Sequence, residues 1–331
     1  MNRYVIRQKF RSLAAFLTIL ILLPYIVSVF VNGADVTTED GGSFYVKVSD
    51  TEETDKVTEI GWTEYLTGIL AGEVPKDCET EALKAQAVLI RTQLYRSQDT
   101  GTPDSGEPKV LDMEYLTWEE MQKKWGAEDF EEYYQKYVRA VEETDDTVLQ
   151  YNGTYAWTPF HQSSCGKTRS AAEALGTEEY PYVAVRECPL DKEAEDEIQI
   201  FSFTYEEIQE LCRDFLVAAS DGDQAEKGYT FADFEIQSSD SAGYVQSLRI
   251  GNTICTGDQF RDALSLPSSA FSFSEEEKGI KITTTGKGHG LGMSLWTADK
   301  MAEEGKTYEE ILDFFFEGTE IRKDIQETEV F

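Results

Sequence analysis

Apolar residues recur at helical spacing in three stretches of the first half of the chain. Residues 62–70 place their apolar side chains on one face, and Pro75 requires that this helix end before it. A second helix is predicted over residues 80–96, where apolar positions repeat every three or four residues. Residues 118–143 form a further amphipathic stretch, rich in aromatic and charged side chains. The pattern therefore predicts a mainly helical segment between residues 62 and 143.

Strand patterns appear in the second half of the chain. Two extended runs flank Asn152 and Gly153, a pair that favours a type I′ hairpin turn because that turn needs two positive φ angles. A helix is predicted near residues 205–218, and strands are predicted near residues 243–254 and 271–285. Together these elements place the chain in the mixed α+β class.

The last apolar pattern before the C-terminus is again helical. Residues 291–302 place their apolar side chains on one face, and Gly305 is suited to the C-cap. The sequence "TYEE", residues 307–310, is typical of a capping box at the start of a helix. The chain is thus predicted to end in two helices.

A long apolar run lies near the N-terminus. Residues 12–31 carry no charge, and twenty helical residues cover the roughly 30 Å hydrocarbon core of a bilayer. The basic residues before the run predict that residues 1–11 are cytoplasmic and that the rest of the chain is extracytoplasmic. A cleaved signal peptide is the alternative, but the run is long for one and "VNGA" is a poor cleavage site, so an uncleaved anchor is favoured.

The residues after this run divide into two predicted regions. Residues 32–56 are polar, acidic and without periodic pattern, which predicts a stalk. Residues 57–331 are predicted to form a single domain of helices and antiparallel strands. We find no internal repeat.

The chain is strongly acidic, with a formal charge of −33 from 63 acidic and 30 basic residues. Nucleic-acid phosphates need a basic partner surface, so this composition argues against nucleic acid as the partner. A neutral, sugar-like substrate and a basic protein are both compatible with it.

Three separated segments carry the residues that suggest chemistry. They read "YLTGILAGEVPKDCETEALKAQAVLIRTQLYR", "PFHQSSCGKTRSAAEALGTEEYPYVAVRECPLD" and "GKGHGLGMSLWTADKMAEEGKTYEEILDFFFEGT". In this order they resemble the stage II sporulation protein D family, membrane-anchored lytic transglycosylases of spore-forming bacteria. The resemblance spans residues 57–319 and includes "GDQFRDALSLPSSAFSF".

The resemblance implies cleavage of the peptidoglycan glycan strand between N-acetylmuramic acid and N-acetylglucosamine. No water is consumed, and a 1,6-anhydromuramic end is left. Family members act during engulfment of the forespore, on strands from which a partner amidase has removed the stem peptides. The implied partners are therefore glycan strands, a sporulation amidase and membrane proteins, and the chemistry requires no cofactor. By its position in "AGEVP", Glu73 is the implied acid and base.

The residues around Glu73 support this role independently of the resemblance. Ordinary glycosidases need two carboxyl groups, whereas a lytic transglycosylase uses the 6-hydroxyl of the sugar as nucleophile, so one carboxyl can act as acid and then as base. Glu73 extends the apolar face of its predicted helix and lies at the C-terminal end of that helix. Burial and the helix dipole are both expected to raise its pKa, which keeps a proton available near neutral pH. The alternative is an exposed acid at a helix end.

Further polar residues match positions that the family devotes to its substrate groove. Gln86 and Arg91 lie off the apolar stripe of the second helix and are predicted to bind sugar, with a structural polar role as the alternative. The remaining candidates for substrate binding are His161, Ser163, Lys167, Gly288, His289, Gly290, Met293 and Ser294.

The glycine-rich turn "GKGHGLGMS" contains His289, one of only two histidines in the chain. Its glycines allow close backbone approach, and the N–H groups of the following helix suit acetamido or carboxylate oxygens. His289 is expected to donate, accept or orient the substrate beside Glu73, with a helix-capping role as the alternative. The family commonly reads "GMSQ" where this chain reads "GMSL", so Leu295 replaces a polar contact.

The cysteines leave three arrangements open. Cys165 and Cys188 with His161 could provide three of the four ligands of a zinc site, and the resemblance to clostridial relatives implies zinc near this segment. An exported cysteine pair can instead form a disulfide, or both thiols can stay free. Cys212 and Cys255 are predicted to be small core residues.

A noncatalytic wall-binding or amidase-stimulating module is the alternative function. A module that only binds would tolerate replacement of Glu73 by glutamine, whereas the enzyme would not.

Overall fold

Short helices and small sheets alternate along the chain. A computed structural model describes residues 45–49, 57–99, 110–216 and 228–323. The helices are α1 (Trp62–Glu73), α2 (Thr80–Asp99), α3 (Trp118–Trp125), α4 (Phe130–Glu142), α5 (Ala171–Leu175), α6 (Tyr205–Leu211), α7 (Gly257–Ala263), α8 (Leu295–Glu303) and α9 (Tyr308–Phe315), with 3-10 helices at Pro189–Glu193 and Phe231–Asp233. The mixed α+β class predicted from the sequence is confirmed.

The strands form five small sheets in the described part of the chain. They are β1 (Tyr45–Ser49), β2 (Val57–Gly61), β3 (Val110–Leu111), β4 (Val148–Tyr151), β5 (Thr154–Tyr155), β6 (Phe160–His161), β7 (Ile198–Thr204), β8 (Phe234–Ser239), β9 (Val245–Ile250), β10 (Thr253–Cys255), β11 (Phe271–Glu276), β12 (Gly279–Thr285), β13 (Met293–Ser294) and β14 (Glu320–Arg322). The sheet orders are β2-β1-β3, β10-β9-β8, β11-β12-β7, β13-β6 and β14-β4-β5.

The helices of the first half follow the predicted pattern closely. Helix α1 ends two residues before Pro75, and α2 extends about one turn past the predicted end. The amphipathic stretch 118–143 is two helices rather than one, because Gly126 ends α3 with a φ of 86°. A capping box formed by Thr117 and Glu120 starts α3.

Local turn signals are confirmed at both predicted places. Asn152 and Gly153 have φ angles of 52° and 79°, and they connect β4 to β5. Thr307 and Glu310 form the predicted capping box of α9. Helix α8 begins at Leu295, later than the apolar pattern suggested, since the residues before it form the glycine-rich turn and β13.

The folded domain begins earlier than predicted. Strand β1 lies within the region assigned to the stalk, and it pairs with β2 and β3. Val46 and Val48 on this strand are buried in the core. Five residues with alternating burial are too short a signal to stand out in a polar sequence.

The predicted membrane anchor, residues 12–31, lies outside the described residues. Within the described ranges, no helix has the length and apolar character needed to cross a bilayer.

Two large apolar clusters and a small third one around Tyr244 form the core of the described residues. The larger one packs α1, α2, α4, α8 and α9 against β1 and β4. The smaller one joins the β8–β10 and β7/β11/β12 sheets with α6 and α7, and it contains Cys212 and Cys255 as predicted.

A buried ion network connects the two sides of the fold. The Arg169 guanidinium donates to Asp240 at 2.7 Å and to Asp258 at 3.0 Å, and both acids lie in the segment that builds the smaller cluster. The backbone N–H of Arg169 donates to the Gly290 carbonyl at 2.7 Å. Because buried charges are stable only when they are paired and hydrogen-bonded, this network holds the glycine-rich turn in one position.

Two chain segments approach each other closely at this turn. Strands β6 and β13 are parallel, and a Cβ added at Gly292 would lie 1.8 Å from the Pro159 carbonyl oxygen. A Cβ at Gly288 would lie 2.6 Å from the Cβ of His161. Both glycines have positive φ angles, 71° and 118°. Only glycine therefore fits at these two positions.

Replacing Gly292 by alanine is expected to destabilise the fold by about 3 kcal/mol or more, since backbone would have to move in addition to the αL strain. Gly305→Ala is the matched control, because Gly305 also has a positive φ, 86°, but open space around its Cβ position. The control should lose only about 1–2 kcal/mol. Denaturant unfolding of the full chain in detergent measures both, and equal losses would contradict the close approach.

Candidate functional site

Glu73 is the last residue of α1 and is partly buried. Burial raises the pKa of its carboxyl group from 4.5 to about 7. The side-chain amide of Gln86 donates to Glu73 Oε2 at 3.0 Å, which lowers the pKa, but burial outweighs this contact. The carboxyl group therefore retains a proton in a large share of molecules near neutral pH.

Gln86 contacts Glu73 rather than the surface. It is fully buried, and its Oε1 has no partner within the described residues. A sugar contact was predicted for this residue, and the structure instead places its amide behind the carboxyl group of Glu73. The amide can orient that carboxyl because the two residues face each other from adjacent helices.

Arg91 is a structural residue, which corrects its prediction as a sugar ligand. It is fully buried, and its guanidinium donates to the carbonyls of Thr144 at 2.7 Å and Val141 at 3.1 Å. These carbonyls lie at and beyond the C-terminal end of α4. Arg91 thus fastens α4 to α2, and the sequence pattern could not show this because position off the apolar stripe does not distinguish a solvated side chain from a buried, paired one.

Gln162, which directly follows strand β6, contacts Glu73. Sequence analysis did not identify this residue. Its exposed side chain donates from Nε2 to the backbone carbonyl of Glu73 at 3.0 Å. Its own backbone N–H donates to the Lys287 carbonyl at 3.1 Å, and its carbonyl accepts from the Trp296 N–H at 3.0 Å. Gln162 therefore connects Glu73 to the start of the glycine-rich turn and to the first turn of α8. Its position next to His161 was the available signal.

The two histidines of the chain lie side by side, with ring centroids 5.9 Å apart. Burial lowers the pKa of each imidazole to about 4, so both are neutral at pH 7. His161 is almost fully buried, and His289 is partly buried.

The backbone of Leu291 assigns opposite tautomers to the two rings. His161 Nδ1 lies 3.1 Å from the Leu291 carbonyl and must donate to it, which leaves Nε2 as an acceptor. His289 Nδ1 accepts from the Leu291 N–H at 3.0 Å, which leaves the proton on Nε2. The acceptor on His161 is buried and has no partner in the described part of the chain. The pair thus has one acceptor, buried on His161, and one donor, on the partly exposed ring of His289.

Ser163 is buried and bonded to a second carboxyl group. Its Oγ donates to Glu197 Oε2 at 2.7 Å, and burial raises the pKa of Glu197 to about 7. The predicted sugar contact of Ser163 is thereby replaced by a contact within the protein. Sequence analysis missed Glu197, because it lies in an acidic stretch where nothing distinguishes it from its neighbours.

Ser294 and Met293 support the helix that follows the glycine-rich turn. Ser294 is the buried N-cap of α8, and its Oγ also donates to Asp191 Oδ1 at 2.9 Å. The same carboxyl group accepts from the Ser164 N–H at 2.6 Å and from Thr297. Met293 is fully buried in the larger core cluster. These two residues were predicted to bind substrate, but both are buried inside the protein.

The remaining predicted substrate residues lie nearer the surface. Lys167 is partly exposed and pairs with Glu187 at 2.7 Å. Gly288 is partly exposed, and its N–H donates to the Pro267 carbonyl at 2.8 Å. Gly290 is buried, and a Cβ there would lie 2.5 Å from the Tyr244 ring, so this glycine serves close packing.

The predicted zinc ligands do not converge in the structure. Cys165 Sγ lies 3.2 Å from the Ala242 carbonyl, whereas Cys188 is fully buried in the larger core cluster. Across the described ranges, no group of three or more His, Cys, Asp and Glu side chains is arranged to hold a metal ion. All five cysteines are described, and all are free thiols. Zinc binding stays a prediction that metal analysis of the purified chain can test.

The chain is similar to proteins of sporulation. A family model described as "Stage II sporulation protein" matches residues 50–151, which include Glu73 and Gln86. The chain is 31% identical over 272 residues to stage II sporulation protein D of Bacillus subtilis, which covers 80% of this chain and 75% of that protein. It is 28% identical over 280 residues to the protein of the same name in Bacillus amyloliquefaciens, with the same coverage of both chains.

A more distant relative carries a different description. The amidase enhancer of Bacillus subtilis is 23% identical over 297 residues, which cover 77% of this chain and 40% of that protein.

Glu73→Gln is expected to stabilise the fold at pH 8 and to have little effect at pH 4. The raised pKa means that the native state holds the proton more tightly than the unfolded state, where the pKa is 4.5. The contribution of this protonated group to the free energy of unfolding is fully present below pH 4.5 and is lost as the pH rises through about 7. Removing the charge should therefore restore up to about 3 kcal/mol at pH 8. Denaturant unfolding of the full chain at both pH values measures this, and an equal effect at both would contradict burial of the carboxyl group.

Proposed function

Because the chain belongs to the stage II sporulation protein D family, we propose that it is a lytic transglycosylase of peptidoglycan. Its substrate is the glycan strand from which the stem peptides have been removed. It cleaves the bond between N-acetylmuramic acid and N-acetylglucosamine and leaves a 1,6-anhydromuramic end.

The observation that carries this proposal is the environment of Glu73. A carboxyl group with a pKa of about 7 can donate a proton at neutral pH, whereas an ordinary glutamate cannot. The contact from Gln86 holds one carboxylate oxygen, so the second oxygen can face a substrate. Such a carboxyl group, held in place and able to gain and lose its proton, supports general acid and base catalysis.

The reaction needs only this one carboxyl group. Glu73 donates its proton to the glycosidic oxygen, and the bond between that oxygen and C1 of N-acetylmuramic acid breaks. The resulting carboxylate then removes the proton of the C6 hydroxyl, and O6 bonds to C1 to close the anhydro ring. Glu73 regains its proton in this second step, so no water is consumed and the enzyme returns to its starting state.

The two neutral histidines support binding of the hydroxyl and acetamido groups of the sugar. Both imidazoles are neutral at pH 7 because burial lowers their pKa values to about 4. The Nε2 donor of the partly exposed His289 suits the hydroxyl and acetamido oxygens of the glycan. Removal of the stem peptides leaves a lactyl carboxylate on each N-acetylmuramic acid, and within a chain of charge −33 a neutral surface avoids repelling that carboxylate.

The proposed location follows from the N-terminal sequence. Residues 12–31 anchor the chain in the membrane as a single span, with residues 1–11 in the cytoplasm and the catalytic domain outside. There it can meet glycan strands that a sporulation amidase has stripped.

A second candidate function is a noncatalytic module that stimulates an amidase or binds the wall. The similarity to a protein described as an amidase enhancer favours it. The two functions make opposite demands on Glu73, because a module that only binds has no use for an acid with a raised pKa.

Product analysis separates the two functions. We expect the full chain in detergent to release fragments with anhydro ends from peptide-free glycan strands, which mass spectrometry identifies as one water lighter than hydrolytic ends. Glu73→Gln should lower the rate by about 10²-fold or more. Glu64→Gln, which removes an exposed acid from the same helix, is the control and should retain activity. Binding without cleavage by the parent chain would overturn the catalytic proposal and favour the second candidate.

The pH dependence of kcat/KM is a separate test of the proton donor. Activity should fall as the pH rises through about 7, since the reaction begins with protonated Glu73. Gln86→Leu removes the hydrogen bond that lowers this pKa, so it should move the fall to higher pH. A profile that is flat between pH 6 and 9 in the parent chain would show that another group supplies the proton.

A further inference from the structure

The backbone around Glu73 is held by side chains from other parts of the chain. Five consecutive carbonyls, those of residues 71–75, lie within hydrogen-bonding distance of side-chain donors outside α1, and the last two share the single hydroxyl hydrogen of Tyr137. Lys124 Nζ donates to Ala71 and Gly72 at 2.7 and 3.1 Å, Gln162 Nε2 donates to Glu73 at 3.0 Å, and Tyr137 Oη contacts Val74 and Pro75 at 3.0 and 2.9 Å.

Helix α1 lacks the usual means of ending. The last carbonyls of a helix have no partner within it, and they are commonly satisfied by a glycine in the αL conformation or by basic residues in the last turn. Here the C-cap is Val74 with an extended φ of −106°, and the last turn contains no basic residue. Lys124 takes over this role, because its ammonium group lies at the negative end of the helix dipole.

Two of the three donors, Lys124 and Tyr137, belong to helices α3 and α4, for which the sequence suggested no role. Lys124 lies in the last turn of α3, and Tyr137 is fully buried on α4. Lys136 of α4 also donates to the Cys78 carbonyl, three residues after Pro75. Arg91 fastens the C-terminal end of α4 to α2. Helices α3 and α4 therefore hold the C-terminal end of α1, and we call this pair of helices the bracket.

We propose that Lys124 and Tyr137 are positioning residues for Glu73, and that the bracket of α3 and α4 serves to hold the proton donor in place. The inference rests on the proposed function, because it assigns these residues to the geometry of that reaction. One carboxyl group has to reach the glycosidic oxygen first and the C6 hydroxyl next. Displacement of a catalytic group by about 1 Å can cost on the order of 10²-fold in rate. Neither residue needs to touch the sugar.

Replacing Lys124 by methionine tests this in the full chain in detergent. We expect kcat on peptide-free glycan strands to fall by about tenfold or more with KM within about twofold, since substrate contacts are unchanged and only the position of the acid is lost. Lys124→Arg should restore most of the rate, because a guanidinium can also donate to two carbonyls. The matched control is Lys123→Met, which removes the same charge from the neighbouring exposed position of α3.

Tyr137→Phe tests the second contact by removing only a hydroxyl group. It should lower kcat in the same way. Tyr65→Phe is its control. The Tyr65 hydroxyl also donates to a backbone carbonyl, that of Met113 at 3.0 Å, but this carbonyl lies outside residues 71–75. Equal losses of kcat in Tyr137→Phe and Tyr65→Phe would mean that general destabilisation explains the effect, and the positioning role would be overturned.

Hydrogen exchange measured by mass spectrometry provides a readout that does not depend on activity. Exchange in residues 70–79 should increase in Lys124→Met and Tyr137→Phe but not in Lys123→Met. If the parent chain cleaves glycan in a Glu73-dependent way and Lys124→Met keeps its kcat, the positioning role is wrong and the proposed function stands. If the parent chain does not cleave, the proposed function fails, and unchanged exchange in these residues would overturn the bracket as well.

Discussion

The site depends on the close approach of two backbone segments, residues 159–163 and 287–294. Their hydrogen bonds and the parallel pair β6–β13 bring the chain so near to itself that side chains at Gly288 and Gly292 would collide with it. This approach places His161 beside His289 and directs Gln162 to the carbonyl of Glu73. Segments far apart in sequence thus meet at one place, and the glycines are what permits the contact.

Burial shifts the pKa of the acid and the pKa values of the imidazoles in opposite directions, and both shifts favour the neutral form. It raises the pKa of Glu73 to about 7 and lowers those of His161 and His289 to about 4, so each group tends towards its neutral form at neutral pH. A strongly acidic chain therefore presents a locally uncharged site. That property agrees with the proposed ligand, a peptide-free glycan strand, because a charged acid would repel the lactyl carboxylates of that strand.

Three buried charged side chains elsewhere are hydrogen-bonded within the protein and serve the architecture. Asp191 accepts from three partners around the start of α8, Arg169 joins the two apolar clusters, and Arg91 ties α4 to α2. Loss of one partner would leave an uncompensated charge in the interior, which is strongly destabilising. These networks allow the catalytic candidate to be only partly buried while the structure around it stays rigid.

The sequence by itself determined the features that depend on near neighbours. The end of α1 before Pro75, the hairpin turn at Asn152–Gly153 and the candidacy of Glu73 all follow from residues a few positions apart. The tertiary structure decided the partners. Contacts between distant residues decide whether Arg91 and Ser163 face sugar or protein, and which of 30 basic residues caps α1. The contact of Ser163 with Glu197 spans 34 positions, and that of Lys124 with α1 spans 53. Periodicity reports local backbone geometry, whereas burial and hydrogen-bond partners are set only when distant segments pack together.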